Sequence, residues 1–241
     1  MKALNDIQNK LAAAKEKAMN ICDKHKKEFR FDCPECTGES DALAEHQAKL
    51  DKRIKESGMH KRHLEASFNN FKQQQAKQQY NICKKFADNW QQTMEDGKDL
   101  LMFGSVGTGK THLACAIANQ IMMKHYAHVK YTTFMMLTFA MRDAQNLRQS
   151  LTGAISQLTK PDLLIIDEIG LKGFTEYEFS LLNEIIDFRY REKMPTILAS
   201  NMNWQEIVST LGDRVVSRIF ESGGGLRFNN EDYRKIIAKG A

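Results

Sequence analysis

A three-layer α/β domain on a mostly parallel sheet is the fold class predicted for residues 67–241, and three observations carry that expectation. After Gly97, short apolar segments alternate with helix-patterned ones, the arrangement that yields a parallel sheet covered on both faces. The glycine-rich stretch Gly104-Ser105-Val106-Gly107-Thr108-Gly109-Lys110-Thr111 falls between the first of those strands and the helix after it. Further on, Asp162-Leu163-Leu164-Ile165-Ile166-Asp167-Glu168 is an apolar run ending in two carboxylates, as expected of a buried strand whose carboxyl edge opens on a polar site.

Size and composition set the outer bounds. The 241 residues, 42% hydrophobic and 27% charged, suffice for one domain of roughly 150–200 residues plus a small appendage. Three prolines in the whole chain argue against general disorder. No apolar stretch approaches the ~20 residues that span a bilayer, and the opening Met-Lys-Ala-Leu-Asn-Asp lacks the apolar core of an export signal. Five cysteines, an odd number, fit a reducing compartment better than a disulfide framework. The expectation is a soluble, cytoplasmic protein without a membrane partner. Its net charge of +5, with both signs interspersed, permits contact with nucleic acid without requiring it.

Three segments are expected: a front module over 1–50, a linker over 51–66 and the α/β body over 67–241. In the front module, Leu4, Ile7, Leu11, Ala14, Ala18 and Ile21 recur at helical spacing and predict a helix over 3–21. A second charged helix is predicted from about Asp41 to Lys55, and Gly58 with its basic neighbours reads as linker. In the body, Phe71 to Met94 predicts one helix buried through Tyr80, Cys83, Phe86, Ala87, Trp90 and Met94. Strands are predicted at 100–103, 129–133, 163–167, 196–200 and 226–228, with helices at 111–124 and 175–191 between them. Asn203, with Glu206 three residues on, predicts the cap of a short helix ending near Gly212.

The glycine-rich loop has the composition of a phosphate cradle. Its glycines let successive N–H groups converge on an anion, and the helix N-terminus behind it adds positive potential. Lys110 is expected to reach the β- and γ-phosphates and the Thr111 hydroxyl to bind Mg²⁺. Asp167 then stands beside the cation and Glu168 orients the attacking water. Asn201, ending the next strand, either hydrogen-bonds that water or the γ-phosphate, or is a turn residue. Arg214 and Arg218, four apart, share one helix face, from which an arginine can reach a neighbouring subunit's γ-phosphate. In the front module Cys22, His25, Cys33 and Cys36 offer three thiolates and an imidazole in two pairs, a donor set for a closed, structural Zn²⁺ site. The alternatives are a chance cluster in a basic loop and a redox-active Cys-x-x-Cys. Cys83 and Cys115 fall on apolar helix faces and read as core.

Taken in order, the cradle, Asp167-Glu168, Asn201 and Ser217-Arg218-Ile219 resemble the AAA+ ATPases, specifically bacterial and phage helicase loaders of the DnaC type. Asp162 to Gly170 is similar to the loaders' second nucleotide motif, and Leu211-Gly-Asp-Arg-Val-Val-Ser-Arg218 to their arginine-finger box. Ser67-Phe68-Asn-Asn-Phe71 is similar to the motif leading into the ATPase domain, which implies that Phe68 lies near the adenine. Asp232-Tyr233-Arg234 matches the place of a second sensor arginine, although the seven residues after Arg234 leave no room for a helical lid.

The resemblance covers about residues 54–241. It implies an ATP-dependent loader that delivers a replicative DnaB-type helicase onto single-stranded DNA and self-associates through an arginine finger, Arg218 before Arg214. It also implies that the segment after the acidic pair faces DNA, pointing to Lys172, Thr175 and Tyr177. Tyr177 can stack on a base, or it extends the apolar stripe of its helix; Lys172 is a phosphate contact or a solvated lysine. Some phage and Gram-positive loaders carry a zinc-containing front module, which implies the same for this one. The stripe Leu4, Ile7, Leu11 then either recruits the helicase or packs on the zinc knuckle, and the basic loop at 24–30 is the competing DNA-binding element. Two other functions share these motifs: an IstB-like ATPase that helps a transposase choose its target, and a zinc-containing DNA-binding adaptor with a slow ATP switch.

Overall fold

The computed structural model describes residues 20–21, 24, 28–29, 34–72, 76–146, 156–170 and 175–233. The chain divides into two compact units, Met1–Lys49 and Leu50–Ala241. In the first, β1 (Asn20–Ile21) and β2 (Glu28–Phe29) pair antiparallel with Ile21 opposite Glu28. Ile21, expected to close a helix, is instead in a strand; pairing with β2 overrides helical periodicity at a β-branched residue. Helix α1 (Pro34–Glu56) starts seven residues earlier than expected. Its first residue is Pro34, whose missing N–H is not required in a first turn.

Residues 51–66 are not a linker but a packed part of the larger unit. Ser57 is fully buried, Met59 and Ala66 enter the core, and Arg53 Nε donates to Tyr126 O at 2.9 Å. Gly58 turns the chain at φ +73°, where a Cβ would press on Tyr131 O, and Tyr131 N donates to Ser57 O at 2.7 Å. The short α2 (Lys61–Leu64) follows. The single helix expected over 71–94 is two, α3 (Lys77–Asp88) and α4 (Trp90–Asp96), broken at Asn89. Thr93 Oγ1 donates to Phe86 O at 3.1 Å across the break, and Phe86 and Trp90 both stay buried.

The sheet holds β3 (Leu100–Gly104), β4 (Val129–Thr133), β5 (Leu163–Ile169), β6 (Thr196–Ser200) and β7 (Gly225–Phe228) in the order β4-β5-β6-β3-β7, every neighbouring pair parallel. Its three inner strands are almost continuously apolar because both faces are covered. Helix α5 (Lys110–His125) and α3 pack on one face, with Cys83 and Cys115 inside that core as expected. Helices α6 (Phe134–Asn146), α7 (Glu176–Arg191) and α8 (Trp204–Ser222) cover the other. The expected cap at Asn203 forms, and Thr175 makes a second one: each accepts from the backbone N–H three residues on, and Glu206 and Glu178 reach back. Gly212, at φ +77°, kinks α8 where the short helix was expected to end. Among the described residues no helix is long and apolar enough to cross a membrane.

One buried charge ties this face together. Arg189 is wholly buried and donates to Thr196 Oγ1, Leu158 O, Pro161 O and Pro195 O at 2.7–3.0 Å. Replacing it by Met strands several buried carbonyls at once, and a loss of about 3–5 kcal/mol in unfolding free energy is expected from denaturant titration. A change below 1 kcal/mol would show that these acceptors find water instead.

Candidate nucleotide site

Strand order reverses around β3, whose neighbours are β6 and β7, so a crevice opens at its carboxyl end. There the chain turns through Gly104 (φ +119°), Gly107 (φ +75°) and Gly109 (φ +96°) before α5 begins at Lys110. Glycine is required at Gly109 twice over: its backbone is left-handed, and a Cβ would lie 2.6 Å from the Phe71 ring. The Lys110 side chain folds back over the loop, its ammonium donating to Gly104 O at 2.8 Å and Ser105 O at 2.6 Å. Thr108 Oγ1 donates to Ser105 O at 2.8 Å. Desolvation lowers the Lys110 pKa to about 8, against the opposing pull of Asp167.

The β4–β5 register sets Thr133 beside Asp167 at the same sheet edge. Asp167 is buried and held by three donors. Glu168 N reaches Oδ1 at 2.7 Å, while Thr111 Oγ1 at 2.7 Å and Tyr131 OH at 2.9 Å reach Oδ2. Thr111 and Asp167 together give hard oxygen donors at the helix N-terminus, a fit for Mg²⁺. Between Ile166 and Ile169 the β5–β6 ladder shifts register, and Glu168 there adopts φ +58°. Such a bulge re-aims a side chain, and a left-handed glutamate stores roughly 1–2 kcal/mol of strain. Glu168 is exposed, and it lines the cavity that Asp167 borders.

That cavity, about 570 Å³, is also bordered by Val106, Gly107, Thr108, Gly109, Lys110, Thr111 and Asn201. Phe68 is not on it. Its ring is buried in the core, edge-on to Tyr80 at 5.6 Å, and Phe71 takes the wall position, 5.4 Å from the His112 ring. The physical reason is local: Ser67 and Asn70 bond each other's backbone in a tight turn, which sends the two aromatic residues to different places. His63, Tyr131, Asn230, Glu231 and Tyr233 line the cavity too and were not expected from sequence. For Tyr233 the sequence signal is its place between Asp232 and Arg234 in the segment similar to a second sensor. Tyr233 N donates to Gly107 O at 3.0 Å. Arg234 lies outside the described residues.

Arg214 and Arg218 project away from this cavity, and both pair with Asp187 of α7; for Arg214 the Nη2–Oδ2 distance is 2.5 Å. The Arg218 guanidinium also lies 5.6 Å from the Tyr190 ring centre. The Thr175 hydroxyl accepts from Glu178 N and so serves the α7 cap, whereas Tyr177 is exposed on the first turn; Lys172 lies outside the described residues. Phe134 is core and Phe139 is exposed. Cys22, His25 and Cys33 lie outside the described residues, as does the side chain of Cys36. Among the described residues no three His, Cys, Asp or Glu converge as metal ligands.

A family model described as IstB-like ATP binding protein matches residues 7–237. The chain is 32% identical over 192 residues to the replicative helicase loader DnaC of Escherichia coli strain K12, covering 78% of this chain and 77% of that one. Among solved structures, the crystal structure of the DnaC helicase loader superimposes with a TM-score of 0.64 at 24% identity, over 70% of this chain and all of that one. The replication initiator DnaA bound to AMPPCP and single-stranded DNA superimposes with a TM-score of 0.61 at 25% identity, over 73% of this chain and 54% of that one.

Proposed function

The chain belongs to the IstB-like ATP-binding family, and from that premise we propose that it is an AAA+ ATPase that loads a replicative, DnaB-type helicase onto single-stranded DNA. The observation that carries the ATPase is the meeting of Lys110, Thr111, Asp167, Glu168 and Asn201 on one cavity. The likeness to a helicase loader over three quarters of its length supports the destination.

Backbone N–H groups of Gly107–Thr111 and the Lys110 ammonium cradle the β- and γ-phosphates of ATP. Thr111 and Asp167 hold Mg²⁺, which when bound neutralises charge between those phosphates. Glu168 orients and polarises a water in line with the γ-phosphorus; its oxygen bonds to phosphorus as the bond to ADP breaks, releasing ADP and phosphate. Asn201 hydrogen-bonds the γ-phosphate or that water. Hydrolysis is slow and serves regulation.

A neighbouring protomer completes the site with Arg218, or failing that Arg214, once assembly frees the arginine from Asp187. Arg218→Ala is expected to leave ATP affinity within about twofold and to cut hydrolysis about 1,000-fold in the assembled state. Loss of binding would instead place Arg218 in its own protomer's site. Tyr177, with Thr175 and Lys172 near it in sequence, forms the DNA-facing edge, and the DnaA neighbour bound to single-stranded DNA supports a nucleic-acid role for this fold. Cys22, His25, Cys33 and Cys36 hold a structural Zn²⁺; β1 and β2 pair on either side of the first two in sequence. Leu4, Ile7 and Leu11 recruit the helicase.

The test is size-exclusion chromatography with light scattering of the full chain mixed with its own replicon's helicase, in ATP and in ADP, with zinc assayed in the peak. A joint peak containing stoichiometric zinc is expected. No joint peak in either nucleotide would overturn the loader reading in favour of the transposition helper or the DNA-binding adaptor.

A further inference from the structure

The hydroxyl of Tyr131 is a polar atom in an apolar setting. Tyr131 stands mid-strand on β4, opposite Ile165 of β5, and its side chain is 7% exposed within the core that covers this face. An aliphatic residue or a phenylalanine would fill such a position without burying a hydroxyl. Because residues two apart on a strand share a face, Tyr131 and Thr133 lie on the side of the sheet where Ile165 and Asp167 also lie. The phenol spans that diagonal and donates to Asp167 Oδ2 at 2.9 Å.

Both ends of the tyrosine are fixed. Its N–H donates to Ser57 O at 2.7 Å, and its ring packs against His63, centroids 4.6 Å apart. Asp167 depends on it in turn. Oδ1 is engaged by the N–H of Glu168 and Oδ2 by Thr111, whose hydroxyl must also serve the cation. Tyr131 is therefore the side-chain donor to Asp167 that does not also serve the cation.

We propose that Tyr131 is a positioning residue for the cation site, its hydroxyl holding the Asp167 carboxylate in the one orientation that meets the nucleotide-bound divalent cation. This rests on the nucleotide reading given above. It adds a residue from β4, outside the phosphate loop and the acidic strand, that sets cation affinity through Asp167. Groups that orient a metal's ligand commonly change metal affinity about 10-fold or more when removed.

Tyr131→Phe deletes only the hydroxyl oxygen and keeps the ring on His63. The experiment uses the full chain and reads Mn²⁺ binding to the protein–ADP complex by electron paramagnetic resonance, with ADP affinity measured separately in EDTA. For Tyr131→Phe, Mn²⁺ affinity is expected to fall about tenfold while ADP affinity in EDTA stays within twofold. The Mg²⁺ concentration for half-maximal hydrolysis is expected to rise in step, with kcat recovering at high Mg²⁺. Unchanged Mn²⁺ affinity would overturn the assignment, as would a lower melting temperature with unchanged Mn²⁺ affinity, the pattern of a merely structural hydroxyl. A wild-type chain that binds no Mn²⁺–ADP would overturn the nucleotide site itself, and this assignment with it.

Discussion

Lys110→Ala is expected to weaken ATP binding about 100-fold or more and to abolish hydrolysis, measured by isothermal titration calorimetry and phosphate release. The ammonium donates to two loop carbonyls, Gly104 O and Ser105 O, so the lysine is aimed along the loop that cradles the phosphates. Two charge-assisted hydrogen bonds from the ammonium to phosphate oxygens, each about 1.5–3 kcal/mol, exceed the roughly 2.7 kcal/mol that corresponds to about 100-fold. Micromolar ATP affinity in this variant would sink the cradle assignment.

Lys110 also gives a pH dependence. Its pKa is lowered to about 8, chiefly through desolvation, and a bound triphosphate holds the ammonium charged to higher pH. Binding then takes up a proton above about pH 8. Affinity should therefore fall as pH rises through that value, by at most tenfold per unit, and be flat below it. Calorimetry in two buffers of different ionisation enthalpy checks the proton count.

Glu168→Gln is the second large effect: hydrolysis is expected to fall about 100- to 10,000-fold with ATP affinity unchanged. The substitution keeps length and shape, so the bulge and its left-handed residue remain, and only the charge that polarises water is removed. The unaltered Asp167 contacts keep the cation in place. Phosphate release in the presence of helicase and single-stranded DNA, beside a binding titration, separates the two quantities. Hydrolysis that survives intact would strip Glu168 of its role, whereas negligible wild-type turnover even with DNA would favour the adaptor with a slow switch.

Local chemistry written in short segments was legible from the amino-acid order. The glycines and Lys110 need only their own spacing to make a cradle. The capping boxes at Thr175 and Asn203 close within four residues, and the apolar strands declare a sheet buried on both faces. Asp167, Glu168 and Asn201 border one cavity with the glycine-rich loop because in a parallel sheet the carboxyl ends of strands share one edge. Less followed where two segments distant in sequence compete for one space. Phe68 and Phe71 are both aromatic and three apart, and no periodicity says which is core and which is cavity wall; the Ser67–Asn70 turn separates them, and Phe71 is the one set against Gly109. Residues 51–66 look solvated by composition, yet Met59 and Ala66 enter the core and Ser57 is buried where its carbonyl accepts from Tyr131 N of β4. The Tyr131 hydroxyl acquires meaning only when β4 lies beside β5, and Asp187 claims Arg214 and Arg218 only when α7 lies beside α8. Sequence order determined the loop, the caps and the strands, since their hydrogen bonds close within a few residues or repeat with a fixed period. Tertiary structure alone decided which side chains from separate strands share a polar partner, since a hydrogen bond forms only within about 3 Å and no spacing along the chain encodes that distance.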